Sequence, residues 1–150
     1  MTPSSGFQDF QAVPHWNTFT AAKNRLASSL DSHPRLLHRL ARRLNTSVQQ
    51  RVAENSSTDC HTLDLLAHHE SSDVRSAAAQ NDSCSQSTAD WLATDADCDV
   101  RYAIAENPGT STQTLDALAH DENPFVQNRA KLTQARIKAE ETLLSDQGGS

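Results

Sequence analysis

The chain has 150 residues, of which 36% are hydrophobic and only 5% aromatic, with a formal net charge of −6. That is one domain of ordinary size whose core must be made of Leu, Val and Ala rather than of rings. No apolar run approaches the roughly 18 residues of a membrane helix, and no Lys or Arg precedes Lys23 to mark a secretory signal, so the expected compartment is the cytoplasm. Cys60, Cys84 and Cys98 are odd in number and lack CxxC spacing, which leaves them as reduced thiols and excludes a disulfide ladder.

The chain opens on FQDFQAVPHWNTF, where Phe7, Phe10, Val13, Trp16 and Phe19 stand three apart. This predicts an aromatic N-terminal cap over 1–21. From residue 22 a different grammar begins. Ala22, Leu26 and Ala27 make one short apolar face, and Leu37, Leu40 and Ala41 a second. The pattern then returns three times without insertion or deletion, at 48–73, 74–99 and 100–125, a period of 26. A fixed period of this length is the mark of a solenoid.

Let Val48, Val74 and Val100 be position 1. Position 5 is then Val52, Ala78 and Ile104, and position 6 is Ala53, Ala79 and Ala105. Positions 16, 19 and 20 are Leu63, Leu66 and Ala67, then Ala89, Leu92 and Ala93, then Leu115, Leu118 and Ala119. Both sets have helical spacing, so each repeat encodes two short helices. Asp73 and Asp99 are placed to cap the first helix, and Asp59, Ser85 and Ser111 the second. Asn55, Asn81 and Asn107 close the first helix, where Asn tolerates a left-handed turn and bonds to nearby backbone. Val126 and Ala130 start an incomplete copy. With Thr133, Ile137 and Leu144 they predict one longer terminal helix, followed by a frayed tail over 145–150. The expected division is a cap at 1–21, a solenoid at 22–130, and a C-terminal helix and tail at 131–150.

Residues 100–121 carry Val100, Arg101, Ala105, Asn107, Pro108, Thr110, Leu115, Leu118, Ala119 and Asp121. This pattern resembles the variant leucine-rich repeat, over about 22–130. The resemblance implies an all-α, HEAT-like, right-handed alpha solenoid of two-helix repeats, one helix often of 3₁₀ character, with terminal caps. The period of 26 is slightly longer than that family's usual length. A member of the family carries an iron–sulfur cluster in a separate cysteine-rich module. The cysteines of this chain lack cluster spacing, and no cofactor is expected.

Charge is uneven. Residues 22–51 hold seven basic side chains against Asp31, a net of +6, whereas 52–128 hold Arg75 and Arg101 against fourteen carboxylates, a net of −12. Arg35, Arg39, Arg42 and Arg43 concentrate the basic end, with Arg35, Arg39 and Arg43 at spacings of four. Asp64, Asp90 and Asp116 share position 17 and predict a row spaced about 10 Å apart, one helix diameter. That is too wide for paired-carboxylate catalysis and suits solvation or recognition of spaced basic groups. Arg75 and Arg101, at position 2, are expected to bond to loop carbonyls or carboxylates of an adjacent repeat. The histidines of His68-His69-Glu70 and of His120-Asp121-Glu122 lie two repeats apart, too far to share a metal. There is no HExxH, Gly-rich phosphate loop or GxSxG.

These features point to a non-catalytic module that recognises a protein partner or acts as a scaffold. Tyr102 and Trp91 are the candidates for an exposed aromatic contact; packing between repeats is the alternative for either and the expected one for Trp91. Two alternatives stay open. One is nucleic acid or a phosphate ligand held by the basic first repeat, disfavoured because a solenoid tracking a phosphate backbone stays positive along its groove. The other is self-association of the basic end with the acidic body of another copy.

Overall fold

The computed structural model describes residues 15–29, 33–42 and 45–147. Among them the chain is all-helical, with α1 (His15–Ser28), α2 (Pro34–Ala41), α3 (Thr46–Ala53), α4 (Cys60–Ala67), α5 (Ser72–Gln80), α6 (Gln86–Leu92), α7 (Cys98–Glu106), α8 (Thr112–Leu118) and α9 (Pro124–Gln147). First helices begin at 46, 72, 98 and 124, and second helices at 34, 60, 86 and 112. Both series step by 26, so the sequence period is the structural period. The fold is an alpha solenoid, and both helices of each described repeat are α rather than 3₁₀. Phe7, Phe10, Val13 and Arg43 lie outside the described residues, as do the side chains of Trp16 and Phe19. No described helix is long and apolar enough to cross a membrane.

Local chemistry sets the helix ends. Asp59, Ser85 and Ser111 accept from the N–H of Thr62, Thr88 and Thr114, which removes one orphan donor from each second helix. The first helices start earlier than Asp73 and Asp99 would place them. Ser71 is the N-cap of α5 without a side-chain bond, and Asp97 is the N-cap of α7, accepting from Asp99 N–H. Asp73 and Asp99 stand in the first turn instead, where a carboxylate still favours the positive end of the helix.

Packing follows the phases. First helices lie side by side in the order α1, α3, α5, α7, α9, and the second helices form a looser layer against them. Val48, Val74 and Val100 are buried, as are the residues at positions 5 and 6 of their three repeats, whereas in the copy before them Ala27 is buried but Leu26 is exposed. Leu63, Leu66, Leu92, Leu115 and Leu118 fill the space between the layers, each contributing about 1.5–3 kcal/mol by leaving water. Alanine at position 6 lets adjacent first helices approach closely. In α9 this position is Lys131, exposed. A charged side chain there ends the stack.

The three asparagines do not make left-handed turns. No described residue has a positive φ, and Asn81 and Asn107 are extended, at φ −76°, ψ 132° and φ −70°, ψ 118°. Each of the three side chains reaches into the preceding repeat. Asn55 Nδ2 donates to Ala27 O and Ser29 O at 2.6 and 2.8 Å. Asn81 donates to Ala53 O and Asn55 O at 2.7 and 2.9 Å, and Asn107 to Ala79 O and Asn81 O at 2.8 and 3.5 Å. Their Oδ1 atoms accept from the N–H of Ser57, Ser83 and Gly109. Carbonyls at a helix exit lack intrahelical partners, and this buried ladder satisfies them across the repeat boundary. Thr58 and Thr110 close the same corner by donating to Val52 O and Ile104 O. Cys84 takes that place in the middle repeat.

The α9 helix runs unbroken from Pro124 to Gln147. Val126, Ala130 and Thr133 are buried and Ile137 half-buried, whereas Lys138 to Ser145 are all exposed. Residues 145–147 are helical rather than a frayed tail.

Candidate interaction surface

Positions 14, 18 and 21 fall on one side of each second helix by their spacing of four and three. All are exposed in the four described repeats. On α2 and its C-cap they are Arg35, Arg39 and Arg42. On α4 they are His61, Leu65 and His68, and on α6 with its following loop they are Ser87, Trp91 and Thr94. The basic end thus continues in register into an aliphatic and aromatic strip.

Trp91 corrects the expectation that it packs between repeats. It is 57% exposed and stacks on His68 with centroids 5.2 Å apart and planes at 20°. Leu65, in the repeat before, is 45% exposed. His68 is held in place by a bond from Nδ1–H to Asp64 O at 2.9 Å. It stands between two open depressions. One, of about 450 Å³, is lined by Arg42, Leu65, His68 and Glu70 among others. The next, of about 330 Å³, is lined by His68, Trp91, Arg75 and Asp95. At the basic end the rings of His38 and His61 stack at 5.7 Å. Burial works against the charge of Asp59, yet the N–H and hydroxyl of Thr62, with His38 and His61 nearby, hold its pKa below the usual carboxylate value.

The position 17 row bridges repeats. Asp64 Oδ1 accepts from Thr88 Oγ1 at 3.3 Å, Asp90 Oδ1 from Thr114 Oγ1 at 2.5 Å, and Asp116 Oδ1 from Gln134 Nε2 at 2.5 Å. His38, in the same phase, meets Thr62 Oγ1 at 3.0 Å. Each carboxylate keeps an exposed side while its other oxygen ties down the next repeat. Thr62, Thr88 and Thr114, all buried, were the unread half of this row. Their signal was available, because Thr recurs two residues before each Asp.

Arg75 and Arg101 each tie two loops together. Arg101 is bidentate on Asp121, with Nε and NH2 at 2.8 and 3.0 Å, and its NH1 donates to Asp95 O and Ala96 O. Arg75 repeats this on Asp95, at 2.7 and 2.9 Å, with NH1 on His69 O and Glu70 O. So each Arg meets the carboxylate of its own repeat and the carbonyls of the one before. The bonds from Arg101, acting against burial, keep the Asp121 carboxyl below its usual pKa. For Asp95, burial is the largest influence and raises the pKa, but Arg75 and the N–H of Asp97 together lower it. In the first full repeat the same places hold Gln49 and His69. Gln49 Oε1 accepts from His69 Nε2–H at 3.0 Å, and His69 Nδ1 accepts from Ser71 N–H. Arg with Asp, Arg with Asp, Gln with His: the pair changes together.

The other singled-out residues lie apart from the strip. Tyr102 is half-buried on α7, with the Arg129 guanidinium 6.0 Å from its ring centroid; Arg129 also pairs with Glu106. Burial, with the Asp64 charge nearby, pushes the Cys84 thiol up to about 11, which makes it a poor nucleophile. Asp97, Cys98 and Asp99 place ligand-type atoms within 4.8 Å of one another, but they are consecutive at one helix start and Asp97 serves as its cap. The structure brings Arg35, Arg39 and Arg42 into line with Leu65, His68 and Trp91. No family model, curated protein or solved structure matches this chain.

Proposed function

We propose that this chain is a non-catalytic interaction module, built like a variant leucine-rich repeat, that holds a protein partner along its second-helix face. The observation that carries the proposal is the exposed Trp91 stacked on His68, in register with Leu65 and the arginines of α2. A large rigid ring beside an open depression is the kind of anchor that dominates protein interfaces, and it needs no deep pocket. The partner that fits is a segment carrying an apolar side chain beside one or more carboxylates. The apolar group would rest on Leu65 and Trp91, and the carboxylates would meet Arg39 and Arg42.

Capture from native extract tests the proposal, using the full chain, its Trp91→Ala variant and its Arg39→Glu/Arg42→Glu variant. A protein retained by the parent chain should survive nuclease treatment and bind the Trp91→Ala variant about 30-fold more weakly, the scale of an interface hot spot. Nucleic acid is the competing ligand, since bases stack on aromatic rings and phosphates seek arginine. Asp64 and Asp90 beside the strip oppose it. Retention that nuclease abolishes, with affinity falling steeply in salt, would overturn the protein-partner proposal.

A further inference from the structure

We infer that the outward side of α9, from Leu132 to Leu143, is a self-association element, pairing antiparallel with the same helix of a second copy. The helix docks on α7 and α8 through Val126, Ala130, Thr133 and Ile137, and then leaves the body. From Lys138 to Ser145 every residue is exposed. A helical segment that buries nothing has little to hold it, because isolated helices shorter than about 12–15 residues are marginal in water. Its apolar residues are nevertheless arranged. Leu132 and Leu143, 54% and 62% exposed, are eleven residues apart, about three turns, with Ala139 between them on the same side. That side is turned well away from the docked face.

Charge selects both occupant and direction. Arg129, Lys131, Arg136 and Lys138 are spread along the earlier part of α9, and Glu140 and Glu141 follow. Parallel pairing of two copies would set like charges against each other. Antiparallel pairing sets the basic half of one helix on the acidic half of the other. With Leu132 facing Leu143 of the second copy, Arg136 comes opposite Ala139 and next to Glu140 of that copy. Two-fold symmetry then makes each contact twice. Arg129 is already engaged by Glu106, whereas Arg136 and Glu140 have no ion pair among the described residues. This surface does not include Trp91, so its failure and that of the proposed partner face are separate.

Sedimentation equilibrium of the full chain at low ionic strength tests the pairing, with circular dichroism to confirm that each variant stays folded. The parent chain should show a reversible monomer–dimer equilibrium, and Leu132→Asp/Leu143→Asp should be monomeric. Arg136→Glu and Glu140→Arg should each dimerise roughly 4- to 30-fold more weakly, because each turns an attraction into a repulsion at a contact made twice. An equimolar mixture of these two should dimerise again, because each then meets the opposite charge on the other. A parent chain that stays monomeric up to about 1 mM, where only the weakest association would be missed, overturns the inference. So does a dimer indifferent to the leucine changes. If mixing restores nothing, the antiparallel register is wrong.

Discussion

Arg101 and Asp121 show how a single residue pair acts in this molecule. Their side chains are 9% and 7% exposed, so each charge depends on the other. The Asp121 carboxyl is held below its ordinary value by Arg101, and Asp95 is lowered in net by the bonds it accepts. A carboxyl whose folded pKa lies below its unfolded value, near 3.9, contributes stability that is fully present above that value. It is lost as the pH falls through the folded pKa, so the chain should weaken below about pH 4. Asp121→Asn retains an acceptor for Asn123 N–H but leaves Arg101 only the exposed carboxylate of Glu122, at 3.4 Å, as counter-charge. Urea melts at neutral pH should show a loss of about 3 kcal/mol, the lower end for a broken buried pair, since the carbonyls of Asp95 and Ala96 remain. The same variant should lose less on acidification than the parent. An unchanged acid limb would mean that the pair does not hold the loops.

At the scale of the helix, the asparagine ladder does what backbone hydrogen bonds do within a sheet: it joins neighbours by fixed donors and acceptors. Asn81 joins α5 to the exit of α3 through two buried bonds and receives one from Ser83. Asn81→Ala would leave Ala53 O and Asn55 O without their donor, at a cost of about 2 kcal/mol or more. Asp82→Ala, next in the chain and exposed, should change the unfolding free energy in urea melts by less than about 0.5 kcal/mol. Equal effects at the two positions would refute the ladder. That Asn closes the first helix was legible in the sequence. Its conformation was not, because the left-handed preference of Asn is local, while two waiting carbonyls from the preceding repeat reward an extended backbone.

For the whole molecule, stability in a repeat stack comes from each layer and its neighbours. Leu92 lies fully buried between layers, and Trp91 beside it is mostly exposed. Leu92→Ala should therefore cost about 2–5 kcal/mol, whereas Trp91→Ala should cost less than about 1 kcal/mol. Chemical denaturation of the two variants checks both values. Comparable losses would mean that the second-helix face is packed rather than presented. The contrast also makes Trp91→Ala a usable probe of binding, because the chain carrying it remains folded. The uneven charge acts at this scale too. Arg35, Arg39 and Arg42 meet the strip at its beginning, and Asp64 and Asp90 flank it further on, so the proposed partner would meet opposite charges along its length.

The sequence by itself determined the period, the all-helical class, the starts of the second helices and nearly every buried apolar residue. Those features depend on which side chains avoid water within a few residues of each other, and a repeat writes that choice several times. Exposure of Trp91 had a weaker signal in the same place: position 18 holds Leu, Trp and Ala in successive repeats, a range of sizes that a packed site would not accept. Only the tertiary structure decided which polar groups meet. The long-range partners of Asn81, Asp90 and Arg101 stand 20 to 28 residues away, across a repeat boundary or from one end of a repeat to the other. Which atoms come within 3 Å there depends on the rotation and rise between repeats, a property of how whole layers pack rather than of any local spacing.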